Sequence, residues 1–374
     1  VTTSSRSLRL PLALAVALLC GAAWREAKPG YAWVFPRDHW AHPEFRTEWW
    51  YFTGILKDVA GPSHRFGYQF TLFRVGLLPE MPALNSRWAA RQLLMGHAAV
   101  GDFGSGGHHF SDLLYREIPL LSGFGVYPEA RIAWSRAPAG TSGLWELSWN
   151  GEGFDFHMRD EARGMAMALS THPQKPLVFQ GPGGVSSKGA ADSAASYYTS
   201  FTRLATTGTL TVGGRTLSVQ GTSWMDQEFS TSQLRKDQVG WDWFSLRLAD
   251  GRDLMFYVLR QRDGGAEFRR GTVVSAAGEA RHLEAGDWSI RSTGVWSSPH
   301  TGCRYPSGWE LEVPGEGLKL EIVPMLQDQE NVCRRSANLH YWEGAVRILG
   351  EGGNPAGEGY VELTGYGENN RPPL

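Results

Sequence analysis

The sequence predicts an all-β protein made of two tandem antiparallel β-domains, barrels or sandwiches, and three observations support this. First, Glu48-Trp49-Trp50-Tyr51-Phe52-Thr53-Gly54-Ile55-Leu56-Lys57-Asp58, closing at Phe73-Arg74, is echoed by Trp241-Asp242-Trp243-Phe244-Ser245-Leu246-Arg247-Leu248-Ala249-Asp250, closing at Leu259-Arg260. In both copies an aromatic cluster enters a strand, an acidic turn follows, and a second apolar strand ends on arginine, so one β-module is used twice. Phe52 matches Phe244, Leu56 matches Leu248 and Asp58 matches Asp250 before the loop lengths diverge. Second, the 16 Trp and 46 Gly among 374 residues suit half-buried pleated surfaces joined by tight turns, and long helical patterns are scarce. Third, short strand patterns recur along the chain, each bounded by Gly, Pro, Asn or Asp.

The N-terminus reads as an export signal, which implies a periplasmic or secreted protein. Arg6 and Arg9 precede the apolar run 10–19, about ten residues and too short to span a bilayer. The small residues Gly21-Ala22-Ala23 follow as a cleavage site, so residues 1–23 are assigned to the signal. Cys20 supports a competing reading, a lipid-attached membrane anchor, although Leu19 before it is bulkier than such sites accept. With the signal removed, Cys303 and Cys333 remain. An oxidising compartment allows a disulfide between them, and two buried free thiols are the alternative.

In the mature chain, alternation over 65–74 places Phe66, Tyr68, Phe70 and Leu72 on one strand face and Gly67, Gln69, Thr71 and Phe73 on the other. Further strands are expected at 144–149, 208–212, 217–221, 254–259, 318–323 and 360–363. Val212-Gly213-Gly214-Arg215 and Ala249-Asp250-Gly251-Arg252 read as hairpin turns that make their neighbours antiparallel. The stretch 181–189, Gly-Pro-Gly-Gly-Val-Ser-Ser-Lys-Gly, reads as a mobile segment, a lid or a plain surface loop. The second module begins near Val239, which divides the mature chain into domains 24–235 and 236–374.

A formal charge of −2 provides no basic field, so nucleic acid is not an expected partner. The candidate chemistry lies in Val219-Gln220-Gly221-Thr222-Ser223-Trp224-Met225-Asp226-Gln227-Glu228-Phe229. Extended chain puts Trp224, Asp226 and Glu228 on one face, successive members roughly 7 Å apart. Desolvation and like-charge repulsion can keep one carboxyl of such a pair protonated, which supplies a general acid near neutral pH. The structural alternative pairs both carboxylates with Arg74, Arg203 or Arg260. Glu48 shares a face with Trp50 and Phe52, as a second catalytic acid or as the anchor of an arginine inside the barrel. Asp242 points away from Trp241 and Trp243 and reads as a structural carboxylate.

His39, His42 and His97 are the histidines near this constellation, but no cysteine or third close histidine completes a ligand set, so no metal is expected. His108 and His109 read as surface residues on opposite faces of a strand. Gly221-Thr222-Ser223 begins a nucleophile elbow, but Met225 stands where its second glycine belongs, which disfavours an α/β serine hydrolase. No phosphate loop or dinucleotide fingerprint is present, so no cofactor is expected.

The residues also carry a family resemblance. The blocks His42-Pro43-Glu44-Phe45-Arg46-Thr47-Glu48-Trp49-Trp50-Tyr51-Phe52-Thr53-Gly54, Phe66 through Arg74, Trp224-Met225-Asp226-Gln227-Glu228, Gly240-Trp241-Asp242-Trp243-Phe244, Tyr341-Trp342-Glu343-Gly344-Ala345-Val346 and Gly359 through Tyr366 resemble the AttH family, which is related to carotenoid 1,2-hydratases. The resemblance covers the chain from about Asp38 to Tyr366 and implies a pair of lipocalin-like β-barrels, the second starting near Gly240. It implies hydrolase or hydratase chemistry on an apolar, isoprenoid-like or lipid-like molecule. In the hydratase branch an acid protonates an alkene and water captures the resulting cation.

Carried onto this chain, that scheme makes Asp226 the acid with Glu228 and Glu48 assisting. Trp50, Tyr51, Gln69, Trp224, Trp241 and Trp243 form the substrate wall. The family frequently has histidine between the two acids, where this chain has Gln227, so no base is available from that position. Two further readings stay open: a carrier that holds a lipophilic ligand unchanged, and an accessory protein of an envelope system.

Overall fold

The computed structural model describes residues 23–189, 194–262, 267–336 and 339–372. The signal segment up to Ala22, with Cys20, lies outside these residues. No helix among the described residues is long and apolar enough to cross a membrane.

The strand Arg65–Gly76 shows how the architecture arises. Phe66, Tyr68, Phe70 and Leu72 are fully buried in the core of the first sheet, as the alternation requires. The opposite face is buried too, with Gln69 and Thr71 at most 1% exposed. A strand buried on both faces has a second layer over it, and here that layer is the other sheet.

The chain forms two large antiparallel sheets, one of them nearly closed into a barrel. The first sheet runs in the order Gly107–Arg116, Gln92–Asp102, Arg65–Gly76, Thr47–Asp58, Arg215–Ser232, Ala195–Val212, Met165–Pro173, Phe154–Asp160, Leu144–Trp149, Arg131–Arg136 and Ser122–Phe124. The second runs Ala280–Leu283, Phe268–Val274, Asp253–Gln261, Gln238–Leu248, Pro355–Leu363, His340–Leu349, Leu318–Pro324, Trp309–Val313 and Ser289–Ser292. Each sheet wraps its own aromatic core, around Phe52, Phe70 and Phe156 in the first and Phe244, Trp309 and Trp342 in the second.

The sequence echo is also an echo of topology. Thr47–Asp58 sits between its hairpin partner Arg65–Gly76 and the last long strand of its sheet, Arg215–Ser232. Gln238–Leu248 sits likewise between Asp253–Gln261 and Pro355–Leu363. The arginine that closes each module pairs with a carboxylate on the module's first strand: Arg74 Nε lies 3.2 Å from Glu48 Oε2, and Arg260 Nε lies 2.9 Å from Asp242 Oδ1. At the Val212-to-Arg215 hairpin, Gly213 and Gly214 both have positive φ (57° and 76°), the conformation a two-residue type I′ turn demands.

Several expectations are corrected. The stretch 181–189 is built into the fold: after a short turn at Pro182–Gly184, Val185–Ser187 pairs with Ala195–Val212, and Lys188 is buried. His108 is half-buried and not a free surface residue, because its Nε2 bonds Asn331 Oδ1 of the second sheet at 2.8 Å. Of the two readings left open for Cys303 and Cys333, the structure has the buried free thiols.

Polar contacts join the two sheets beside the apolar interface. Asp253 of the second sheet takes Arg203 of the first and Lys175 from the connection after Met165–Pro173, each at 2.6 Å, and a hydrogen bond from Thr202 at 2.9 Å. One buried carboxylate with three partners fixes how the sheets face each other, and that facing creates the cavity described next.

Candidate active site between the sheets

A cavity of about 250 Å³ lies between the outward faces of the two sheets. The register explains which residues reach it. Tyr51 lies opposite Asp226, and Trp49 opposite Glu228, so all four point to the cavity side of the first sheet. Gln69, Phe73, His97, Tyr198 and Lys188 extend that wall, and Trp241, Trp243, Tyr257, Leu259, Tyr341 and Glu362 come from the second sheet's side.

Asp226 is 3% exposed and accepts three hydrogen bonds. Ser200 Oγ (2.5 Å) and Trp224 Nε1 (2.7 Å) donate to Oδ1, and the Tyr198 hydroxyl (2.6 Å) donates to Oδ2. Burial pushes this carboxyl up to about 7, against the pull of the three donors. With Oδ1 fully engaged, the acid proton is confined to the remaining lone pair of Oδ2. Tyr198 also accepts the Trp243 indole N–H at 3.0 Å, which ties the acid to the opposite wall.

The neighbouring carboxylate is held differently. Lys188 Nζ lies 2.7 Å from Glu228 Oε1, over the ring of Tyr257 at 4.6 Å. Two carboxyls two residues apart are thus given opposite roles, one neutralised by a buried ammonium and one left to hold its own proton.

The second sheet contributes a matching acid. Trp241 Nε1 donates to Glu362 Oε2 at 3.0 Å, and burial pushes Glu362 up to about 7, with Asp226 and Glu228 across the cavity raising it further. Glu343 is cross-strand to Glu362 and 1% exposed, and burial followed by the Glu362 charge pushes it well above the usual carboxylate range.

Another end of the wall is a hydrogen-bonded chain. Tyr341 Oη lies 2.8 Å from His97 Nδ1, His97 Nε2 lies 3.2 Å from Ser336 Oγ, and Ser336 Oγ donates to Asp112 Oδ2 at 3.1 Å. Burial pushes His97 down to about 4, so it is neutral and passes hydrogen bonds along without holding charge. Gln69 Nε2 donates to Tyr341 Oη at 3.2 Å and fixes its position.

The structure brings Tyr51, Gln69, Asp226, Glu228, Trp241 and Trp243 together as the sequence suggested. It separates Glu48 and Trp50 from them. Glu48 lies opposite Phe229 and Trp50 opposite Gln227, a register that turns both into the first sheet's own core. Glu48 is fully buried against His42 and Arg74; burial raises its carboxyl, but these two partners pull it below its ordinary value. Trp50 Nε1 donates to the His39 carbonyl oxygen at 2.8 Å. Gln227 bonds Glu48 at 3.1 Å on that same inner face, so a histidine there would not face the cavity. Trp224 is fully buried behind Asp226 and positions the acid instead of lining the wall. Arg74, Arg203 and Arg260 pair with Glu48, Asp253 and Asp242, so none of them neutralises Asp226.

Lys188, Tyr198, Ser200, Tyr257, Tyr341, Glu343 and Glu362 were not singled out from the sequence. Glu343 and Glu362 carry the signal that drew attention to Glu48, an acid at an aromatic position of a strand: Tyr341-x-Glu343 and Tyr360-x-Glu362. Among the described residues no group of three or more His, Cys, Asp or Glu side chains is arranged to hold a metal ion.

The comparisons with known proteins agree with this architecture. A family model described as AttH-like matches residues 26–366. A crystal structure of an AttH protein from Nitrosomonas europaea is 31% identical, covers 92% of this chain and 100% of that one, and superposes with a TM-score of 0.79. Kievitone hydratase from Nectria haematococca is 14% identical with a TM-score of 0.64 over 92% of this chain and 96% of its own, a likeness of fold. No curated protein sequence matches. The fold is therefore the tandem lipocalin-like arrangement that the resemblance implied.

Proposed function

This chain belongs to the AttH-like family, and we propose that its inter-sheet cavity catalyses addition or removal of water at a carbon–carbon double bond of an apolar small molecule. One observation carries the proposal: Asp226, a buried carboxyl pushed up to about 7, lies in an aromatic cavity with three donors confining its proton to one lone pair. A group half-protonated near neutral pH transfers a proton efficiently in either direction.

In the hydration direction the alkene π pair takes the Asp226 proton and forms a C–H bond, leaving a cation on the neighbouring carbon. The faces of Trp241, Trp243 and Tyr51 stabilise that charge. A water oxygen forms the C–O bond, and its surplus proton goes to Glu362, whose affinity near 7 lets it accept one and later return it to Asp226. The net reaction is alkene plus water to alcohol. The division of the chain near residue 235 and export through the N-terminal segment belong to the same proposal.

The test is incubation with a trisubstituted isoprenoid alkene in oxygen-isotope-labelled water, followed by mass spectrometry of the extract. Labelled alcohol from the wild type and roughly a hundredfold less or lower still from Asp226→Asn is the expected result. Stoichiometric binding of apolar probes with no product from any alkene tried would make the protein a carrier instead.

A further inference from the structure

Large apolar side chains on a soluble protein surface are scattered singly, and a contiguous group of them marks a contact. The connection 77–91 between the strands Arg65–Gly76 and Gln92–Asp102 breaks that pattern. Leu77, Leu78, Met81, Leu84 and Trp88 are 50%, 43%, 58%, 66% and 59% exposed.

The position of this loop gives the patch its meaning. Leu77 N donates to Arg91 O at 2.8 Å and closes the loop at its base. Val75 and Leu93, a cross-strand pair just inside that base, line the cavity. Leu114, on the adjoining strand, belongs to the cavity wall and is also 37% exposed. The exposed apolar loop therefore leaves the sheet at the same end of these three strands at which Val75, Leu93 and Leu114 line the cavity. Arg87 and Arg91 flank Trp88, and the exposed Arg116 holds the Trp88 carbonyl oxygen at 3.2 Å, while Glu80 is the one acid in the loop. Leucine, methionine and tryptophan beside arginines suit the headgroup level of a negatively charged bilayer.

We propose that loop 77–91 docks the protein on an anionic lipid bilayer and sets the cavity mouth against the apolar phase. A molecule insoluble in water then reaches the cavity without crossing water. The supply of substrate rests on the apolar-substrate reading above, whereas the docking does not depend on catalysis.

The experiment is flotation of the purified chain with vesicles of phosphatidylglycerol and phosphatidylethanolamine, and with vesicles of phosphatidylcholine alone. The wild type is expected to float with the anionic vesicles, and Leu84→Ser/Trp88→Ser to lose about tenfold in binding with unchanged thermal melting. Arg87→Gln/Arg116→Gln should bind more weakly and with less salt dependence. A wild type that stays in solution with both vesicle types overturns the proposal. So does a concentration-dependent dimer abolished by Leu84→Ser/Trp88→Ser without vesicle binding, which would assign the patch to a second copy. Vesicle binding with no alkene hydration would leave the docking standing and refute the catalytic reading.

Discussion

The Tyr198 hydroxyl donates to Asp226 Oδ2 at 2.6 Å and accepts the Trp243 indole N–H at 3.0 Å. The candidate acid of the first sheet is therefore held in place by an aromatic residue of the second. Neither sheet alone would present Asp226 in a desolvated setting, so the cavity chemistry depends on the pairing of the sheets.

Asp226→Asn keeps the shape of the protonated acid: its amide oxygen accepts from Ser200 and Trp224, and its NH₂ group faces a Tyr198 hydroxyl that can turn to accept. Ligand affinity should change less than about threefold, while turnover falls by roughly 10²–10⁴, the contribution of a positioned general acid. Apolar-probe titration and initial rates on the same preparation check both halves.

The same variant has a defined pH signature. The folded-state carboxyl of Asp226 is raised to about 7 from 3.8, so its stabilising contribution is complete below about 3.8 and is lost as pH rises through about 7. Asp226→Asn removes that loss. Its melting temperature relative to wild type should climb between pH 4 and 7 and level off above, by the equivalent of up to roughly 4 kcal/mol. Glu362→Gln should behave likewise, because Glu362 is raised from 4.5 to about 7. Differential scanning calorimetry across that range measures the difference directly, and a flat difference would show that neither carboxyl is perturbed.

Lys188 neutralises Glu228 inside the cavity wall, with both side chains 7% exposed. Lys188→Met strands a buried carboxylate and should cost about 3–5 kcal/mol, whereas Lys188→Met/Glu228→Gln should recover most of the loss. Denaturant unfolding of the single and double variants gives the coupling.

Tyr341 is backed by the His97–Ser336–Asp112 chain, which takes its hydroxyl proton at His97 Nδ1, so Tyr341 Oη can accept from a hydroxyl on the ligand. Wild type should bind naphthol more tightly than naphthalene by about tenfold, one good buried hydrogen bond. Tyr341→Phe should abolish the preference, and His97→Gln should weaken it without changing naphthalene binding. Equal affinities in the wild type would show that this part of the cavity makes no polar contact with ligands.

Glu48→Gln separates structure from chemistry. Arg74 is fully buried against Glu48, so the variant should lose about 3–5 kcal/mol of stability. Turnover per folded molecule should persist, because Glu48 faces away from Asp226. Thermal melting together with active-site-normalised rates distinguishes this from a catalytic role.

Much of the architecture was legible in the chain. Period-two alternation at 65–74, the Gly213-Gly214 turn and the twofold Trp-rich module are local signals, and strand geometry turns them into sheets by short-range rules. Asp226 and Glu228 were legible for the same reason, since residues two apart on a strand share a face. Glu48 and Trp50 were grouped with them because the sequence shows only that alternate residues share a face. It does not show which face of a central strand meets the interior of its own sheet and which meets the other sheet.

The sequence alone thus determined the all-β class, the repeated module, the absence of a basic field and the acid pair on one strand. These follow from composition and from periodicities within a few residues. The tertiary structure decided that the candidate site lies between the sheets, that Glu362, Lys188 and Tyr341 join it, and that Glu48 and Gln227 do not. Cross-strand register and sheet-to-sheet facing bring together residues as far apart as Tyr51 and Glu362, and the low-dielectric gap between them pushes Asp226 and Glu362 up to about 7. Those relations arise only when both sheets have packed against each other, because desolvation is a property of the packed pair and not of either strand.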